Sequence, residues 1–201
     1  DDAQGRISLA CWDALEPQLS KATCVAIGPG LGQSRELQQL VRRVITHANC
    51  PLVIDADGLN NLAQSSNWSR SCTVPLVITP HPGEWSRLSG VEAGDRDAQC
   101  RAAIEFARQT RSVVVLKGHH TLITDGQTAV WNQSGTPAMA VAGSGDVLTG
   151  LITALICQGL APRDAAHLAV HAHARAAELA QRELRSHVVL PTELIAHLPP
   201  L

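Results

Sequence analysis

Aromatic side chains are scarce in this sequence: four Trp and one Phe occur among 201 residues, and Tyr is absent. A surface that stacks nucleic-acid bases needs exposed aromatic rings. Basic runs are also missing and the formal net charge is −2, whereas nucleic-acid binding needs a concentrated positive footprint. We therefore expect no nucleic-acid partner and a core built from aliphatic side chains.

Long apolar runs are missing too, so no segment is predicted to span a bilayer. The N-terminus has no charged-then-apolar targeting pattern. Hydrophobic residues make up 45 % of the chain and charged residues 17 %, which is typical of a folded protein rather than a disordered one. The length fits one domain better than two, so we predict a single domain over residues 1–201 and no membrane partner.

The cysteines show neither a C-x-x-C pair nor a regular spacing, although the chain has six of them. Their even number favours disulfides only weakly, because no secretory signal accompanies it. Cys24 and Cys157 lie in apolar segments, where a free thiol acts as a small core residue. We therefore predict free thiols and a cytoplasmic protein.

The sequence does contain a regular alternation of short β-branched runs with segments of helical period. Strands are predicted over residues 23–28, 51–55, 75–79, 112–117, 121–125 and 128–132. Helices are predicted after Ser34, from about Asp97, after Gly145, and from Pro162 to about Arg185. This alternation predicts an α/β fold with a doubly wound, mainly parallel sheet flanked by helices.

Polar turns rich in Gly and Pro follow four of the predicted strands. In an open parallel sheet, ligands collect at the carboxyl ends of the strands. The turns contain the segments Gly28-Pro29-Gly30-Leu31-Gly32, Asp55-Ala56-Asp57, Thr79-Pro80-His81-Pro82-Gly83-Glu84 and Lys117-Gly118-His119-His120-Thr121. We expect these turns to line one rim of the sheet, which is the candidate site.

The segment with the clearest chemistry precedes a predicted helix and reads Gly143-Ser144-Gly145-Asp146. Glycines let a ligand approach the backbone, and the helix directs its positive dipole end at the same place. Gly143, Ser144 and Gly145 are therefore predicted to form an anion hole for a phosphate under transfer. Asp146 would accept a proton from a nearby hydroxyl. The alternative is a tight turn in which Asp146 only complements the helix dipole.

Two other pairs of interpretations stay open on this rim. Asp55 and Asp57 would either hold Mg²⁺ through water or cap a short helix near Gly58. Lys117 would either meet a phosphate as a point charge or be a solvated lysine at a strand end. His81 is fixed between two prolines, which favours a contact with a ligand.

Two familiar binding motifs are incomplete. The glycine-rich turn of residues 28–32 is neither Gly-x-Gly-x-x-Gly nor a P-loop, so a plain strand-to-helix turn explains it equally well. His167 and His171 have the spacing of metal ligands on a helix, but no Glu follows His167 and no third ligand is evident. We predict packed or partly exposed histidines there and assign no side chain as a metal ligand.

Five motifs together resemble those of a known family. In chain order they are Gly28-Pro29-Gly30-Leu31-Gly32, Asp55-Ala56-Asp57-Gly58-Leu59-Asn60, Thr79-Pro80-His81-Pro82-Gly83-Glu84, Leu116-Lys117-Gly118 and Gly143-Ser144-Gly145-Asp146-Val147-Leu148-Thr149-Gly150. From about residue 20 to its end, the chain closely resembles the ADP-dependent NAD(P)H-hydrate dehydratases, a branch of the ribokinase-like superfamily. The last motif by itself indicates only the superfamily. The second and third motifs narrow the assignment to the dehydratase branch.

The resemblance implies a lyase that repairs hydrated NADH and NADPH by removing water. Hydroxide is a poor leaving group, so the implied course is phosphorylation of the ring hydroxyl by ADP (or ATP) and then loss of phosphate. Asp146 would take the hydroxyl proton while the amides of residues 143–145 steady the phosphoryl group. Mg²⁺ would offset charge on the nucleotide phosphates. The products would be NAD(P)H, AMP and phosphate.

Position by position, the resemblance assigns Gly32, His81 and Asp146 to the NAD(P)H-hydrate. It assigns to the adenine nucleotide Lys117, Gly118, His119, His120, Thr121 and Gly145. One position departs from the family pattern. The family segment reads Gly-Asn-Pro-x-Met-Ala, and in this chain Thr136 stands in place of the Asn. That substitution affects only contacts made by this side chain.

The resemblance also bears on the ends of the chain and on its partners. Family members carry further strands and helices before the Gly-Pro-Gly-Leu-Gly strand, and this chain begins just upstream of that strand. We therefore expect a ribokinase-like domain that lacks its N-terminal elements. The resemblance further implies a symmetric homo-oligomer and, as a fused or separate partner, an NAD(P)H-hydrate epimerase.

Two other functions fit the same residues. An ATP-dependent kinase of a small hydroxylated metabolite, such as a vitamin precursor, would use Asp146 and the anion hole but stop at the phosphorylated product. A nucleotide-sensing module would bind AMP or ADP without turnover. The nucleotide consumed and the release of phosphate distinguish these functions from a dehydratase.

Overall fold

A six-stranded sheet forms the centre of the computed structural model, which describes residues 7–65 and 68–199. The strands are β1 (Val25–Ile27), β2 (Leu52–Ile54), β3 (Leu76–Ile78), β4 (Val113–Leu116), β5 (Leu122–Thr124) and β6 (Ala129–Trp131). They lie side by side in chain order. β1 to β4 are parallel, whereas β5 and β6 are each antiparallel to the preceding strand. The predicted domain limits, residues 1 and 201, lie outside the described residues.

All six predicted strands are present, and each is shorter than its prediction. β2, β3 and β4 are buried along their whole length. Helices cover both faces of these strands, so their sequences are continuous runs of Val, Leu and Ile rather than an alternation with polar residues. The polar residues included in the predicted strands, such as Asp55 and Thr79, lie just past the paired segments and form the rim.

The α-helices of the described residues are α1 (Trp12–Leu19), α2 (Arg35–His47), α3 (Ala56–Leu62), α4 (Pro82–Ser89), α5 (Arg96–Thr110), α6 (Ser144–Cys157), α7 (Pro162–Leu184) and α8 (Pro191–Ala196). The four predicted helices correspond to α2, α5, α6 and α7. Ser34 begins α2 as predicted, because its hydroxyl accepts a hydrogen bond from the Leu37 N–H at 3.1 Å. Helices α1, α4 and α8 are not predicted from the sequence, because they have only 8, 8 and 6 residues and too few apolar positions for a clear period.

Helices cover both faces of the sheet. On one face, α1 to α5 pack against side chains such as Leu52 and Ile54. On the other face, α6 and α7 pack against Val53, Val77 and Val115. Because neighbouring residues of a strand point to opposite faces, β2 contributes to both cores. This arrangement confirms the predicted α/β fold and leaves the carboxyl ends of β1 to β4 open at one rim.

The longest helix, α7, has 23 residues and a buried face made mainly of alanine. Small side chains let this helix lie close to the sheet and to α6. Most of its exposed positions are polar, as expected for a helix with one buried face, although Leu168 and Leu184 are exposed as well. Within the described ranges, no helix combines the length and the apolarity that crossing a membrane requires.

All six cysteines are free. Burial, assisted by the neighbouring Cys157 and Cys50, raises the pKa of Cys24 to about 12. The Cys24 thiol therefore stays protonated near neutral pH and is a poor nucleophile, as expected for a partly buried structural thiol. The prediction of Cys157 as a core residue is wrong, because this residue is exposed on the last turn of α6.

We predict that Trp85 is important for the attachment of α4. Its side chain is 0 % exposed and packs edge-on against Phe106 of α5, with ring centroids 5.4 Å apart. Trp85→Ala should lower the free energy of unfolding by about 3–5 kcal/mol, because it leaves a large cavity. The matched control is Trp131→Ala at a residue that is 47 % exposed, which should change it by about 0.5 kcal/mol or less. Denaturant unfolding measures both, and equal losses would contradict the prediction.

Candidate active site

Lys117 and Asp55 form an ion pair at the centre of the rim. The Lys117 Nζ lies 2.7 Å from Asp55 Oδ1, and the Thr149 hydroxyl of α6 donates to Asp55 Oδ2 at 2.8 Å. The Asp55 side chain is 1 % exposed and that of Lys117 19 %. These contacts join the ends of β2 and β4 to α6. Lys117 is therefore not a solvated lysine, which removes one of its two interpretations.

Neither Asp55 nor Asp57 caps α3 with its side chain, so that alternative is wrong for both. Asp55 is the residue before α3, but its carboxylate makes no capping bond because it is occupied by Lys117 and Thr149. Asp57 Oδ2 accepts a hydrogen bond from the Gly32 N–H at 2.9 Å, and Oδ1 accepts one from the Gln33 side chain at 2.9 Å. Asp57 therefore attaches the glycine-rich turn after β1 to α3.

The glycine-rich turn after β1 has a structural reason for its first glycine. Gly28 has φ +134°, and a Cβ atom built on it would lie 1.8 Å from the Asp55 carbonyl oxygen. Only glycine fits so close to the backbone after β2. At the other end of the turn, the Gly32 carbonyl accepts a hydrogen bond from Asn61 at 2.8 Å. Since both backbone polar groups of Gly32 are bonded to α3, the turn is held rigidly at the rim.

The first turn of α6 provides backbone donors without acceptors. The helix begins at Ser144, directly after Gly143 in the left-handed region with φ +85°. In the part of the chain that the structure describes, the N–H groups of Gly145 and Asp146 have no hydrogen-bond acceptor. Free N–H groups at a helix start, reinforced by the helix dipole, attract anions. The predicted anion hole requires this geometry.

Gly145 lies directly against the ion pair. A Cβ atom built on Gly145 would lie 3.3 Å from Lys117 Nζ and 3.6 Å from Asp55 Oδ2. A larger residue would displace the ammonium group that Asp55 holds. The free N–H groups of α6 and the positive charge of Lys117 therefore lie next to each other, which would bring two sources of positive potential to one phosphate.

Asp146 is exposed at this place. No hydrogen bond or ion pair engages its carboxylate within residues 7–65 and 68–199. A carboxylate without protein partners is available to accept a proton from a bound hydroxyl. This geometry fits the predicted role of Asp146 as a base.

His81 and Glu84 form the start of α4. His81 Nδ1 accepts hydrogen bonds from the Gly83 and Glu84 N–H groups at 3.0 and 3.3 Å, and Glu84 Oε2 accepts one from the His81 N–H at 2.7 Å. Since Nδ1 is an acceptor, the neutral ring carries its proton on Nε2, which lies 3.3 Å from Glu84 Oε1. The His81 side chain remains 49 % exposed, so its orientation is fixed while one face stays open to a ligand.

The carboxylates around Lys117 fit a magnesium ion held mainly by a nucleotide. Asp55 is paired with Lys117 Nζ, and Glu84 Oε2 lies 3.9 Å from the same atom. Among the described residues, no group of three or more His, Cys, Asp and Glu side chains could form a metal site by itself. Magnesium often uses one or two carboxylates together with phosphates and water. Asp55 and Glu84 are the nearest carboxylates, but Asp55 is already bonded to Lys117 and Thr149 and Glu84 to the His81 N–H, so they would act on magnesium through water.

Arg96 shapes the loop between β4 and β5, which contains the predicted nucleotide residues 117–121. Its guanidinium donates to the carbonyls of Lys117, Leu116 and His120 at 3.2, 3.1 and 3.2 Å. Arg96 is the first residue of α5, which Asp95 caps. Arg96 is not predicted from the sequence as a site residue, because nothing local links the start of α5 to a loop 20 or more residues later.

His173 is a second residue near the site that the sequence motifs do not predict. It is 5 % exposed on α7, and its Nε2 lies 2.9 Å from the Ser144 carbonyl oxygen. Burial is the main reason that the pKa of His173 is lowered to about 4, and the charge of Lys117 acts in the same direction. The buried face of α7 passes through Ala169, Val170 and Ala172, so its helical period was the signal that could have identified His173 as buried.

The other two histidines of α7 do not join this site. His167 and His171 are both exposed, on the side of the helix away from the core. Thr136, the position that departs from the family segment, caps the short turn before α6. Its hydroxyl accepts from the Ala138 N–H at 3.2 Å and donates to the Gln181 side chain at 2.6 Å. Threonine therefore maintains a defined local structure there.

The predicted hydrate residues share the rim but do not bond to one another. Within the described ranges, no hydrogen bond or ion pair joins Gly32, His81 and Asp146. Gly32 is attached to α3, and α3 is joined to α4 by a hydrogen bond from Arg87 Nε to Asn60 Oδ1 at 2.8 Å. The three positions therefore stay a predicted binding set on one surface.

Comparison with known proteins identifies the family. The sequence profile of the NAD(P)H-hydrate dehydratases matches residues 8–200. The chain belongs to this family. The resemblance predicted from the sequence motifs is thereby confirmed.

Individual members of the family show how much of their length this chain covers. The bifunctional NAD(P)H-hydrate repair enzyme Nnr of Moorella thermoacetica is 39 % identical over 198 residues, which are 97 % of this chain and 37 % of that protein. The ADP-dependent (S)-NAD(P)H-hydrate dehydratase of Bacillus subtilis is 37 % identical over 189 residues, which are 92 % of this chain and 66 % of that enzyme. The chain thus spans less than two thirds of the length of these relatives.

A solved structure supports the same assignment. The ADP/ATP-dependent NAD(P)H-hydrate dehydratase of Bacillus subtilis, co-crystallised with ATP and Mg²⁺, matches with a TM-score of 0.78 at 35 % identity. The match covers 92 % of this chain and 67 % of that structure. The described fold is therefore that of the family.

We predict that the Arg96 guanidinium is required for the shape of the β4–β5 loop. Arg96→Ala should weaken ADP binding roughly tenfold, because the loop carbonyls lose their shared donor. Arg96→Lys should recover little, since an ammonium group cannot reproduce the planar guanidinium fork. Arg101→Ala, at an exposed position of the same helix, is the matched control. Calorimetric titration measures all three, and unchanged affinity in Arg96→Ala would contradict the prediction.

Proposed function

We propose that this chain acts as an ADP-dependent NAD(P)H-hydrate dehydratase, a hydro-lyase. The observation that carries the proposal is the start of α6, where the exposed Asp146 carboxylate follows the free Gly145 N–H next to the Lys117 ammonium. A base, an anion hole and a cation at one place are what phosphoryl transfer to a hydroxyl requires. Membership of the family supports the hydrated nicotinamide cofactor as substrate.

In the proposed reaction, Asp146 removes the proton from the hydroxyl of the hydrated ring. The hydroxyl oxygen forms a bond to the terminal phosphorus of ADP, and the bond from this phosphorus to the bridging oxygen breaks, releasing AMP. The ring C–O bond then breaks, and phosphate leaves with the bonding electrons. Loss of a proton from the neighbouring ring carbon restores the double bond of NADH or NADPH.

The remaining site residues take binding roles in this proposal. Gly32 and His81 contact the hydrate together with Asp146, supported by their rigid places on the same rim. The adenine nucleotide lies along the loop of residues 117–121 and against Gly145. Magnesium, when bound, would neutralise charge on the nucleotide phosphates, held by those phosphates and by water near the carboxylates of Asp55 and Glu84. ADP is the proposed donor, in line with the name of the Bacillus relative.

The proposal extends to partners and location. The Moorella relative is named as a bifunctional repair enzyme, which supports a second activity on the same hydrates, and we propose an epimerase, fused or separate. A homo-oligomer is also proposed, from the family resemblance. The free cysteines support a reducing, cytoplasmic location.

The test is an assay on the longest natural form of the protein. NADH-hydrate and Mg²⁺ are supplied with ADP, with ATP or with no nucleotide, and the return of reduced-nicotinamide absorbance is followed. We expect recovery with ADP and none without nucleotide. A phosphorylated product that accumulates without recovery would instead indicate a kinase. Nucleotide binding without any turnover would indicate a sensing module.

The assigned base gives a sharper prediction. Asp146→Asn should lower turnover on the order of 10²–10⁴-fold, because the general base is lost, and should leave ADP affinity nearly unchanged. The matched control is Asp164→Asn, since Asp164 lies in the first turn of α7 and has the same relation to a helix dipole. If Asp146 only complements the dipole, both variants will lose a little stability and neither will lose rate. Single-turnover kinetics distinguish these outcomes.

A further inference from the structure

His173 is a buried ionisable side chain for which the proposed reaction has no use. It lies on α7 with 5 % of its surface exposed, outside the set of residues that the family resemblance assigns. Its Nε2 lies 2.9 Å from the Ser144 carbonyl oxygen and 3.4 Å from the Ser144 hydroxyl. Only a donor is useful to a carbonyl oxygen, so Nε2 carries the ring proton.

The bond from His173 fixes the plane of one particular peptide group. In a trans peptide, the C=O of one residue and the N–H of the next point in opposite directions. The Ser144 carbonyl is bonded to a buried histidine, so it points into the protein. The Gly145 N–H, which belongs to the same peptide unit, must therefore point away from His173 and out of the core. It is one of the two N–H groups at the start of α6, with that of Asp146, for which the described residues offer no acceptor.

The residues around this peptide make an external restraint useful. Gly143 and Gly145 flank Ser144, and glycine has more conformational freedom than any other residue. The first turn of a helix also lacks the preceding turn that would otherwise hold its peptide groups. A donor on a neighbouring helix replaces that missing restraint. The carbonyl oxygen has two lone pairs, so it can accept from His173 as well as within α6.

We propose that His173 is a positioning residue that sets the direction of the Gly145 N–H toward the bound phosphate. The inference rests on the proposed function only in that a nucleotide phosphate occupies the anion hole. It assigns a role to the α6–α7 contact, namely to orient the donor before the ligand arrives. His173 touches neither substrate nor reacting atoms, so its effect is entirely through the peptide between residues 144 and 145.

The test compares His173→Gln with His173→Leu in the full chain. The glutamine amide can place a donor near the position of Nε2, whereas leucine fills the space without a donor. We expect His173→Leu to lower turnover on the order of 10²-fold, as for other small misplacements of catalytic groups, and His173→Gln to recover most of it. His171→Leu, an exposed histidine of the same helix, is the control and should be unchanged. Equal losses in the Gln and Leu variants would mean a packing role and overturn the proposal.

A second measurement does not depend on dehydratase activity. The amide signal of Gly145 in a ¹H–¹⁵N NMR spectrum should move downfield when ADP is added to the unmodified protein without hydrate, and this movement should shrink in His173→Leu and return in His173→Gln. If hydrate is not converted but these shifts occur, the proposed function fails and the role of His173 stands. Absence of a Gly145 response to ADP in the unmodified protein would overturn this inference directly. So would an equal response in all variants.

Discussion

The Lys117–Asp55 ion pair is the contact on which the geometry of the rim depends. A carboxylate that is 1 % exposed is stable as an anion only when its oxygens are bonded. Lys117 occupies one oxygen and Thr149 of α6 the other. The bonds to the two Asp55 oxygens therefore fix three separate parts of the chain relative to one another: the ends of β2 and β4 and the second turn of α6. As a result, Gly145 at the start of α6 lies directly beside the Lys117 ammonium.

A second constraint joins local helix geometry to the charge of the site. His81 and Glu84 begin α4 by bonding each other's backbone, which is a local requirement of that helix. The same Glu84 carboxylate lies 3.9 Å from Lys117 Nζ. One side chain therefore serves both the start of a helix and the balance of charge around a partly buried ammonium. This dual use explains why the segment between β3 and α4 is a polar turn in sequence and a helix start in the structure.

The sequence was informative wherever a feature depends on neighbouring residues. The strand positions, the apolar face of α2 begun by Ser34, and the turns at the carboxyl ends of the strands were all predictable, because hydrophobic period and turn chemistry are local. The open pairs of interpretations at Asp55, Asp57 and Lys117 were not, since each depends on a partner far along the chain. Arg96 and His173 were missed for the same reason. Short helices such as α4 were not predicted, because a helix of so few residues shows no reliable hydrophobic period.

The long sequence separations within the site have a thermodynamic consequence. Asp55 and Lys117 are 62 residues apart, and Asp55 and Thr149 are 94 apart, so none of these contacts survives in a locally structured but incompletely folded chain. The anion-binding surface thus exists only when the central sheet and α6 are assembled together. A ligand that binds there shifts the equilibrium of the whole unit by mass action, rather than merely ordering a loop. Occupancy by nucleotide would therefore protect the backbone amides of β2, β4 and α6 against hydrogen exchange as one cooperative unit.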